Sequence, residues 1–404
     1  MIPYGRQTID EGDIRAVIEV LRSDWLTTGP KVAEFEQAVA DYVGTKYAVA
    51  VNSGTAALHA AMYAIGIKPG DEVIVPPITF AATANCVVYQ GGTPLFADVD
   101  PGTLLLDPSK VEEKITEKAK AIIGVDYAGQ PCDWDRLRKI ADKHKLKLIA
   151  DGCHALGAEY KGRKVGTLAD MTIFSFHPVK HITTGEGGMI TTDDTELAGR
   201  MRLFRSHCIT TDARQREKQD CWFYEMVDLG YNYRITDFQC ALGISQLRKL
   251  PKFLERRREI AARYDKALKS IPGIEPLGLR SDVVPSNNAI NLSTHQLNSL
   301  TAISTHAYHL YVIRIDSNVL GIDRTTLFTN LRGKGIGVNV HYIPVHLHPF
   351  YRGKFHTDTG LCPVAEAAYE QIISIPMFPG MTDEDIKAVI EAISTSIKED
   401  KFKL

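Results

Sequence analysis

Short apolar runs alternate with helical patterns between about residues 30 and 200, and this alternation constrains the fold more than any other feature. Alanine-rich or amphipathic helices are predicted over Ser53–Ile65, from Ala81 onwards, and between Asp133 and His144. Because helices follow the strands in turn, the pattern predicts a mostly parallel sheet covered by helices on both faces. The predicted strands are Tyr47–Val51, Glu72–Pro76, Thr93–Ala97, Ala121–Val125, Leu146–Ala150 and Met171–Phe176.

The pattern changes after about residue 250. Helical patterns cover Gln239–Leu250 and Phe253–Ser270, and Pro251 between them should break or kink the helix. We therefore expect a large α/β domain over residues 1–250 and a smaller α+β domain over residues 251–404. The other elements expected in the second domain are a polar loop over residues 281–307, strands over His309–Ile315 and Gly335–His341, and a helix over Asp383–Lys398.

Composition and charge exclude several classes of protein. Hydrophobic residues make up 44% of the chain and charged residues 24%, which are ordinary globular values. The 47 basic residues balance 49 acidic ones, so the global positive field of a nucleic-acid binder is missing. No apolar run of about 18 residues predicts a membrane helix, and the N-terminus lacks a signal-peptide pattern. Seven scattered cysteines without a CxxC pair indicate reduced thiols and a cytoplasmic location.

A lysine lies between a predicted strand end and a glycine-rich turn, in the segment Ser175–Gly188. Glycines in that turn let the backbone pass close to a bulky ligand or adopt positive φ. Lys180 can form a Schiff base with an aldehyde if burial or a nearby positive charge lowers its pKa. Seen alone, a lysine in this position is better explained as a surface residue beside a β-turn, and only the features of the other segments reverse that interpretation.

Two other segments supply complementary chemistry. Ser53 can cap a helix whose first free amides, at Gly54 and Thr55, would bind a phosphate, although an ordinary capped helix has the same sequence. Asp151 ends a strand where a carboxylate can bind a protonated ring nitrogen, or simply stabilise a turn. His154 is either a ring contact or a turn histidine. A phosphate cup, a ring-nitrogen carboxylate and a Schiff-base lysine together are what pyridoxal 5′-phosphate (PLP) requires.

These motifs resemble the DegT/DnrJ/EryC1/StrS sugar-nucleotide aminotransferases, a family of the fold-type I, aspartate-aminotransferase-like PLP enzymes. Stretches such as Val125–Gly129 and Phe174–Lys180 are most similar to aminotransferases of the pseudaminic-acid pathway. The resemblance implies transfer of an amino group from L-glutamate to C4 of a UDP-linked 4-keto-6-deoxy-N-acetylhexosamine, in a homodimer. The segments that carry the family resemblance are Leu26–Pro30, Phe35–Glu36, Asn52–Leu58, Asp71–Pro76, Ser175–Gly188, Leu229–Asp237 and Val340–Val345.

The resemblance also implies individual roles. Lys180 is expected to be the Schiff-base lysine and proton shuttle, and Asp151 the partner of the pyridine nitrogen. Phe80 is expected to stack on the cofactor ring unless it is a core residue, and His154 stands where many relatives have glutamine. The other implied cofactor contacts are Ser53, Gly54, Thr55, Ser175 and, toward a neighbouring subunit, Asn232; the implied substrate contacts are Tyr4, Thr27, Lys180, Asn232, His341 and Tyr342, the last two being ordinary loop residues otherwise.

Four alternatives stay open at this point. The enzyme can act on another UDP- or dTDP-linked keto sugar. It can be a PLP-dependent sugar dehydratase, although relatives with that activity replace the lysine by histidine. It can be a non-catalytic PLP-binding homologue, although no catalytic residue is missing. Finally, His341, His346 and His348 can form a zinc site, but the spacing lacks a partner cysteine or carboxylate pattern, so we expect no metal.

Overall fold

The computed structural model describes residues 1–211, 213–218, 220–284 and 303–401. Its strands are β1 (Tyr47–Val51), β2 (Glu72–Val75), β3 (Thr93–Phe96), β4 (Ala119–Val125), β5 (Lys147–Asp151), β6 (Glu159–Tyr160), β7 (Arg163–Lys164), β8 (Met171–Ser175), β9 (Gly188–Thr192), β10 (Ile274–Pro276), β11 (Tyr311–Ile315) and β12 (Ile372–Ile375). Its first nine helices are α1 (Glu11–Leu21), α2 (Pro30–Val43), α3 (Gly54–Ala64), α4 (Ala82–Tyr89), α5 (Pro108–Glu113), α6 (Trp134–His144), α7 (Thr195–Phe204), α8 (Ala213–Lys218) and α9 (Asp237–Leu268).

The C-terminal helices are numbered onward from α9 in chain order. They are α10 (Ser317–Leu320), α11 (Arg324–Gly333), α12 (Pro349–Phe355), α13 (Pro363–Tyr369) and α14 (Asp383–Lys401). No helix in the described ranges combines the length and apolar character needed to cross a bilayer.

A seven-stranded sheet in the order β1-β9-β8-β5-β4-β2-β3 forms the centre of the larger part of the molecule. Strands β3, β2, β4, β5 and β8 pair in parallel, whereas β9 is antiparallel to both of its neighbours. The expectation of a mostly parallel sheet is therefore confirmed, and β9 is a strand that the sequence pattern did not predict. In this register Gly188 lies opposite both Val51 and Ser175, so three chain segments converge at one edge of the sheet.

The second, smaller sheet has the antiparallel order β10-β11-β12. Its buried core includes Ile313, Leu327 and Ile393, which belong to β11, α11 and α14. The terminal helix predicted over Asp383–Lys398 is present as α14. Of the loop predicted over residues 281–307, residues 285–302 lie outside the described part of the chain.

Two features of the second half of the chain differ from what the sequence pattern predicts. Helix α9 is not broken at Pro251, because buried side chains on both sides of the proline, such as Leu250 and Leu254, hold it in place. The predicted strand Gly335–His341 is replaced by single bridges from Ile336 to Ile2 and from Asn339 to Ser374. The proposed domain boundary near residue 250 falls inside α9, a helix that contributes side chains to both cores.

Candidate active site

A cavity of about 800 Å³ opens where β4, β5 and β8 end. The lining comes from the strand ends and loops of the seven-stranded sheet, from Tyr4 in the N-terminal segment, and from residues 339–342. This is the edge at which ligands bind in open parallel sheets. The expected site residues that line it are Tyr4, Ser53, Gly54, Thr55, Phe80, Asp151, His154, Ser175, Lys180, His341 and Tyr342.

The first turn of α3 forms one end of the cavity. The Ser53 hydroxyl accepts a hydrogen bond from the Ala56 amide at 3.1 Å, so this side chain serves as the helix cap. The amides of Gly54 and Thr55 have no partner within the helix and are suited to an anion. A Cβ on Gly54 would lie 2.9 Å from the Ser175 Cβ, so glycine is what allows α3 and β8 to approach this closely.

The glycine-rich turn lies directly behind this anion site. Gly185 has a φ of +80°, as a left-handed turn position requires. A Cβ on Gly188 would lie 2.3 Å from the Ser53 carbonyl oxygen and 2.8 Å from the Gly54 nitrogen. The sequence predicts that these glycines allow a close approach to a ligand. In the structure, Gly188 instead approaches the backbone of Ser53 and Gly54, and this contact fixes the position of the anion-binding turn.

Asp151 presents a buried carboxylate at the end of β5 and is 5% exposed. Its Oδ2 accepts a hydrogen bond from the Thr83 hydroxyl at 2.7 Å, and its Oδ1 accepts one from the Cys153 amide at 3.2 Å. Within the described residues, no lysine, arginine or histidine nitrogen lies within 4.0 Å of this carboxylate. Asp151 is thus held in a fixed orientation without a cationic partner, as a carboxylate meant for a positively charged ligand would be.

Lys180 reaches the same cavity from the turn after β8. Burial lowers the pKa of its ammonium group, an effect that electrostatic interactions with Cys153 and Asp151 partly oppose. Its Nζ lies 3.4 Å from the Nε2 atom of His309. A lysine whose pKa is lowered by burial has the property that Schiff-base chemistry needs.

His154 and Tyr342 meet across the cavity. The Tyr342 hydroxyl lies 3.1 Å from Nε2 of His154, and burial drives the pKa of His154 well below its ordinary value. The neighbouring His341 places its Nδ1 2.8 Å from the Ser374 hydroxyl, and its carbonyl accepts a hydrogen bond from Tyr127. His341 and Tyr342 are therefore both held by hydrogen bonds to other segments of the chain.

Phe80 lies at the cavity mouth and is 61% exposed, so the interpretation that it is a core residue is wrong. Two expected site residues do not line the cavity. Thr27 is exposed and forms a bridge with Thr236, and Asn232 is exposed and accepts a hydrogen bond from the Asn52 side chain at 3.4 Å through its carbonyl.

Sequence reasoning missed several residues that line the cavity, among them His309 and Thr83. His309 was placed in a predicted strand, yet it lies ahead of β11 and its ring is 4.3 Å from that of His154. Thr83 stands in the first turn of α4, where the sequence resembles any alanine-rich helix. For both residues the signal is a tertiary contact, which no local pattern reveals.

Two of the three histidines proposed for a zinc site, His341 and His346, have other partners. His341 contacts Ser374, whereas the buried His346 contacts the Glu366 carboxylate at 2.8 Å. Within the described ranges, no group of three histidine, cysteine or acidic side chains is arranged to hold a metal ion.

Comparisons with known proteins agree with this geometry. The model of the DegT/DnrJ/EryC1/StrS aminotransferase family matches residues 7–394. The spore coat polysaccharide biosynthesis protein SpsC of Bacillus subtilis is 41% identical over 399 residues, which cover 98% of this chain and 97% of SpsC.

Two solved structures extend the comparison. Helicobacter pylori PseC, an aminotransferase of pseudaminic acid biosynthesis, has a TM-score of 0.86 and 33% identity over 98% of this chain and 99% of its own. Streptococcus pneumoniae Spr1654 in its pyridoxamine-phosphate form has a TM-score of 0.87 and 33% identity over 99% of this chain and 100% of its own, and it has also been solved in a PLP form. The chain therefore belongs to the DegT/DnrJ/EryC1/StrS aminotransferase family and is a PLP-dependent sugar aminotransferase.

Proposed function

We propose that the protein transfers an amino group from L-glutamate to C4 of a UDP-linked 4-keto-6-deoxy-N-acetylhexosamine, as in pseudaminic acid biosynthesis. The observation that carries the proposal is one cavity that contains a lysine with a lowered pKa and a buried carboxylate without a cationic partner. An aminotransferase needs both, because it must move a proton at the substrate and keep the cofactor ring protonated.

The residues present fit the cofactor. The free amides at Gly54 and Thr55, with Ser175 beside them, would hold the phosphate, and Asp151 would pair with the protonated pyridine nitrogen. Phe80 would cover one face of the ring. When bound, PLP supplies an electron sink that stabilises negative charge developing at the carbon bearing the amino group.

Lys180 would perform the proton transfers. Its Nζ would remove the proton from the α-carbon of glutamate and, in the second half-reaction, return a proton to C4 of the sugar. Asp151 would keep its orientation throughout, because the Thr83 hydroxyl and the Cys153 amide each donate a hydrogen bond to one of its carboxylate oxygens. His154 and Tyr342, hydrogen-bonded to each other, would limit the space that the substrate can occupy.

The likeness to PseC supports a keto sugar of the pseudaminic acid pathway. The likeness to SpsC, named for spore coat polysaccharide biosynthesis, supports the alternative that another UDP- or dTDP-linked keto sugar is the acceptor. The proposal also includes a homodimer with the active site at its interface. It is supported by exposed aromatic and aliphatic side chains in the segment that precedes Asn232 in the sequence, among them Trp222, Phe223 and Leu229. All seven cysteines are free, which supports a cytoplasmic location.

The acceptor can be identified directly. The holoenzyme is incubated with L-glutamate and with each member of a panel of UDP- and dTDP-linked keto sugars, and the products are analysed by NMR. We expect amination of the UDP-linked 4-keto-6-deoxy-N-acetylhexosamine at C4 and no comparable turnover of the dTDP-linked sugars. Preferential turnover of a dTDP-linked sugar would replace the proposed substrate by the alternative.

A further inference from the structure

His309 contacts the amine of Lys180, and neither the sequence nor the proposed reaction gives it a role. Its Nε2 lies 3.4 Å from the Lys180 Nζ, and its side chain is buried, with 5% of the residue exposed. Among the described residues, no carboxylate oxygen lies within 4.0 Å of that Nζ. The amine of Lys180 therefore has an uncharged imidazole as its neighbour where a surface lysine would often have an acid.

The position of His309 is fixed by contacts on both sides of its backbone. The amide of Ala307, in the same segment, donates to the Gly129 carbonyl at 2.9 Å. The buried Arg257 of α9 donates to the carbonyl of His309 at 3.2 Å. A Cβ on Gly129 would lie 3.0 Å from the His309 nitrogen, so this turn and the segment bearing His309 are in direct contact. The ring is thus held against Lys180 by the larger part of the molecule and by α9.

Burial, together with the positive charges around it, keeps His309 neutral. Burial and the positive charge of Lys180 lower its pKa, and burial also lowers the pKa of His154 and His181, whose rings lie 4.3 and 5.5 Å away. Arg257 faces it from α9, while Asp151 and Cys153 face Lys180 from the end of β5. A neutral imidazole can accept a hydrogen bond from an ammonium without adding a charge.

We propose that His309 is a positioning residue that accepts a hydrogen bond from the Lys180 amine through Nε2 and holds this amine toward the cavity. A carboxylate in this place would raise the pKa of Lys180 and retain its proton, whereas imidazole orients the amine and leaves the proton transferable. The inference rests on the proposed role of Lys180 in the reaction.

The first test measures Lys180 without any substrate. The cofactor-free protein is carbamylated with cyanate at a series of pH values, and mass spectrometry of peptides compares Lys180 with the exposed Lys252. In His309→Phe the ammonium loses its acceptor, so we expect the midpoint of Lys180 labelling to fall by about one pH unit. His309→Gln, whose amide reaches a similar point, should keep the wild-type midpoint. If His309→Phe does not fold, His309→Leu replaces it.

His306→Phe is the matched control, because it changes the same segment at a histidine whose Nδ1 accepts the Tyr308 amide. It should leave the Lys180 midpoint unchanged. An unchanged midpoint in His309→Phe, or an equal shift in His306→Phe, would overturn the proposal.

The second test separates turnover from binding in the holoenzyme. His309→Phe should lower kcat about tenfold without raising KM for the sugar, and His309→Gln should recover most of the lost kcat. A raised KM with unchanged kcat would make His309 a substrate contact and contradict the inference. The labelling of Lys180 needs no sugar. If the midpoint shifts in His309→Phe but the wild-type protein aminates no keto sugar, the proposed function is refuted and the contact between His309 and Lys180 is not.

Discussion

Replacing Gly188 by alanine should displace the anion-binding turn, because the new methyl group meets backbone and not flexible side chains. Its Cβ would lie 2.3 Å from the Ser53 carbonyl oxygen, so one of the two backbones must move by about 1 Å to reach van der Waals separation. Neither is free to move, since β9 is paired on one side with β1 and on the other with β8, and the Ser53 carbonyl accepts the Ala57 amide of α3 at 3.0 Å.

The size of the effect follows from this geometry. Overpacking a well-packed core costs about 1–3 kcal/mol, and contacts with paired backbone place Gly188→Ala near the upper end. A displaced turn also weakens the hydrogen bonds from Gly54 and Thr55 to a phosphate. Losing one such charge-assisted bond costs about 1.5–3 kcal/mol, so PLP affinity should fall roughly 10- to 100-fold.

Two measurements check this prediction, namely urea unfolding of the cofactor-free protein and titration of that protein with PLP. Gly199→Ala is the control, because its Cβ would meet nothing within 4 Å in the helix α7. It should stabilise the protein by about 0.5–1 kcal/mol without changing PLP affinity. If Gly188→Ala behaves like Gly199→Ala in both measurements, the reasoning about the turn is refuted.

Three further predictions test other parts of the site. Asp151→Asn should reduce kcat at least about 100-fold in steady-state kinetics. Thr83→Val removes only one hydrogen bond to that carboxylate, so it should reduce kcat about tenfold in the same assay. Phe80→Ala should leave the unfolding free energy within about 0.5 kcal/mol of wild type, since the residue is exposed. The same variant should weaken PLP binding about tenfold in the titration with PLP. A PLP affinity equal to that of the wild type would argue against stacking of Phe80 on the cofactor ring. Burial raises the pKa of Asp126 to about 8, so the folded state binds this proton more tightly than the unfolded chain. This proton's contribution to stability is fully present below about pH 4 and is lost as the pH rises toward 8. Urea unfolding at a series of pH values should therefore show the wild type losing unfolding free energy relative to Asp126→Asn between about pH 4 and pH 8. If the unfolding free energies of the two proteins change with pH in parallel, the prediction is refuted.

The elements that sequence reasoning located well are those with strong local signals. The strand that ends at Asp151 and the helix that begins after Ser53 combine an apolar run with a cap or turn residue, and both occur as expected. The antiparallel strand β9 was missed because Gly188–Thr192 is short and follows a glycine-rich turn that was interpreted as ligand-binding. The helix is not broken at Pro251, because packing against two cores outweighs the cost of a proline inside a helix.

The site itself divides in the same way. Residues with a motif around them, such as Lys180 and the Ser53–Thr55 turn, were placed in the cavity correctly. His309 and Thr83 carry no motif, and they join the site only because distant segments fold against the ends of β5 and β8. Only the three-dimensional structure reveals contributions of this kind.

The central claim is that Lys180 and Asp151 operate one PLP-dependent amino transfer in this cavity. The most direct measurement follows the visible absorbance of the holoenzyme through both half-reactions. We predict that L-glutamate removes this absorbance, that the keto sugar restores it, and that Lys180→Ala shows neither change. A wild-type spectrum that L-glutamate leaves unchanged, or a Lys180→Ala variant that responds like wild type, would contradict the account.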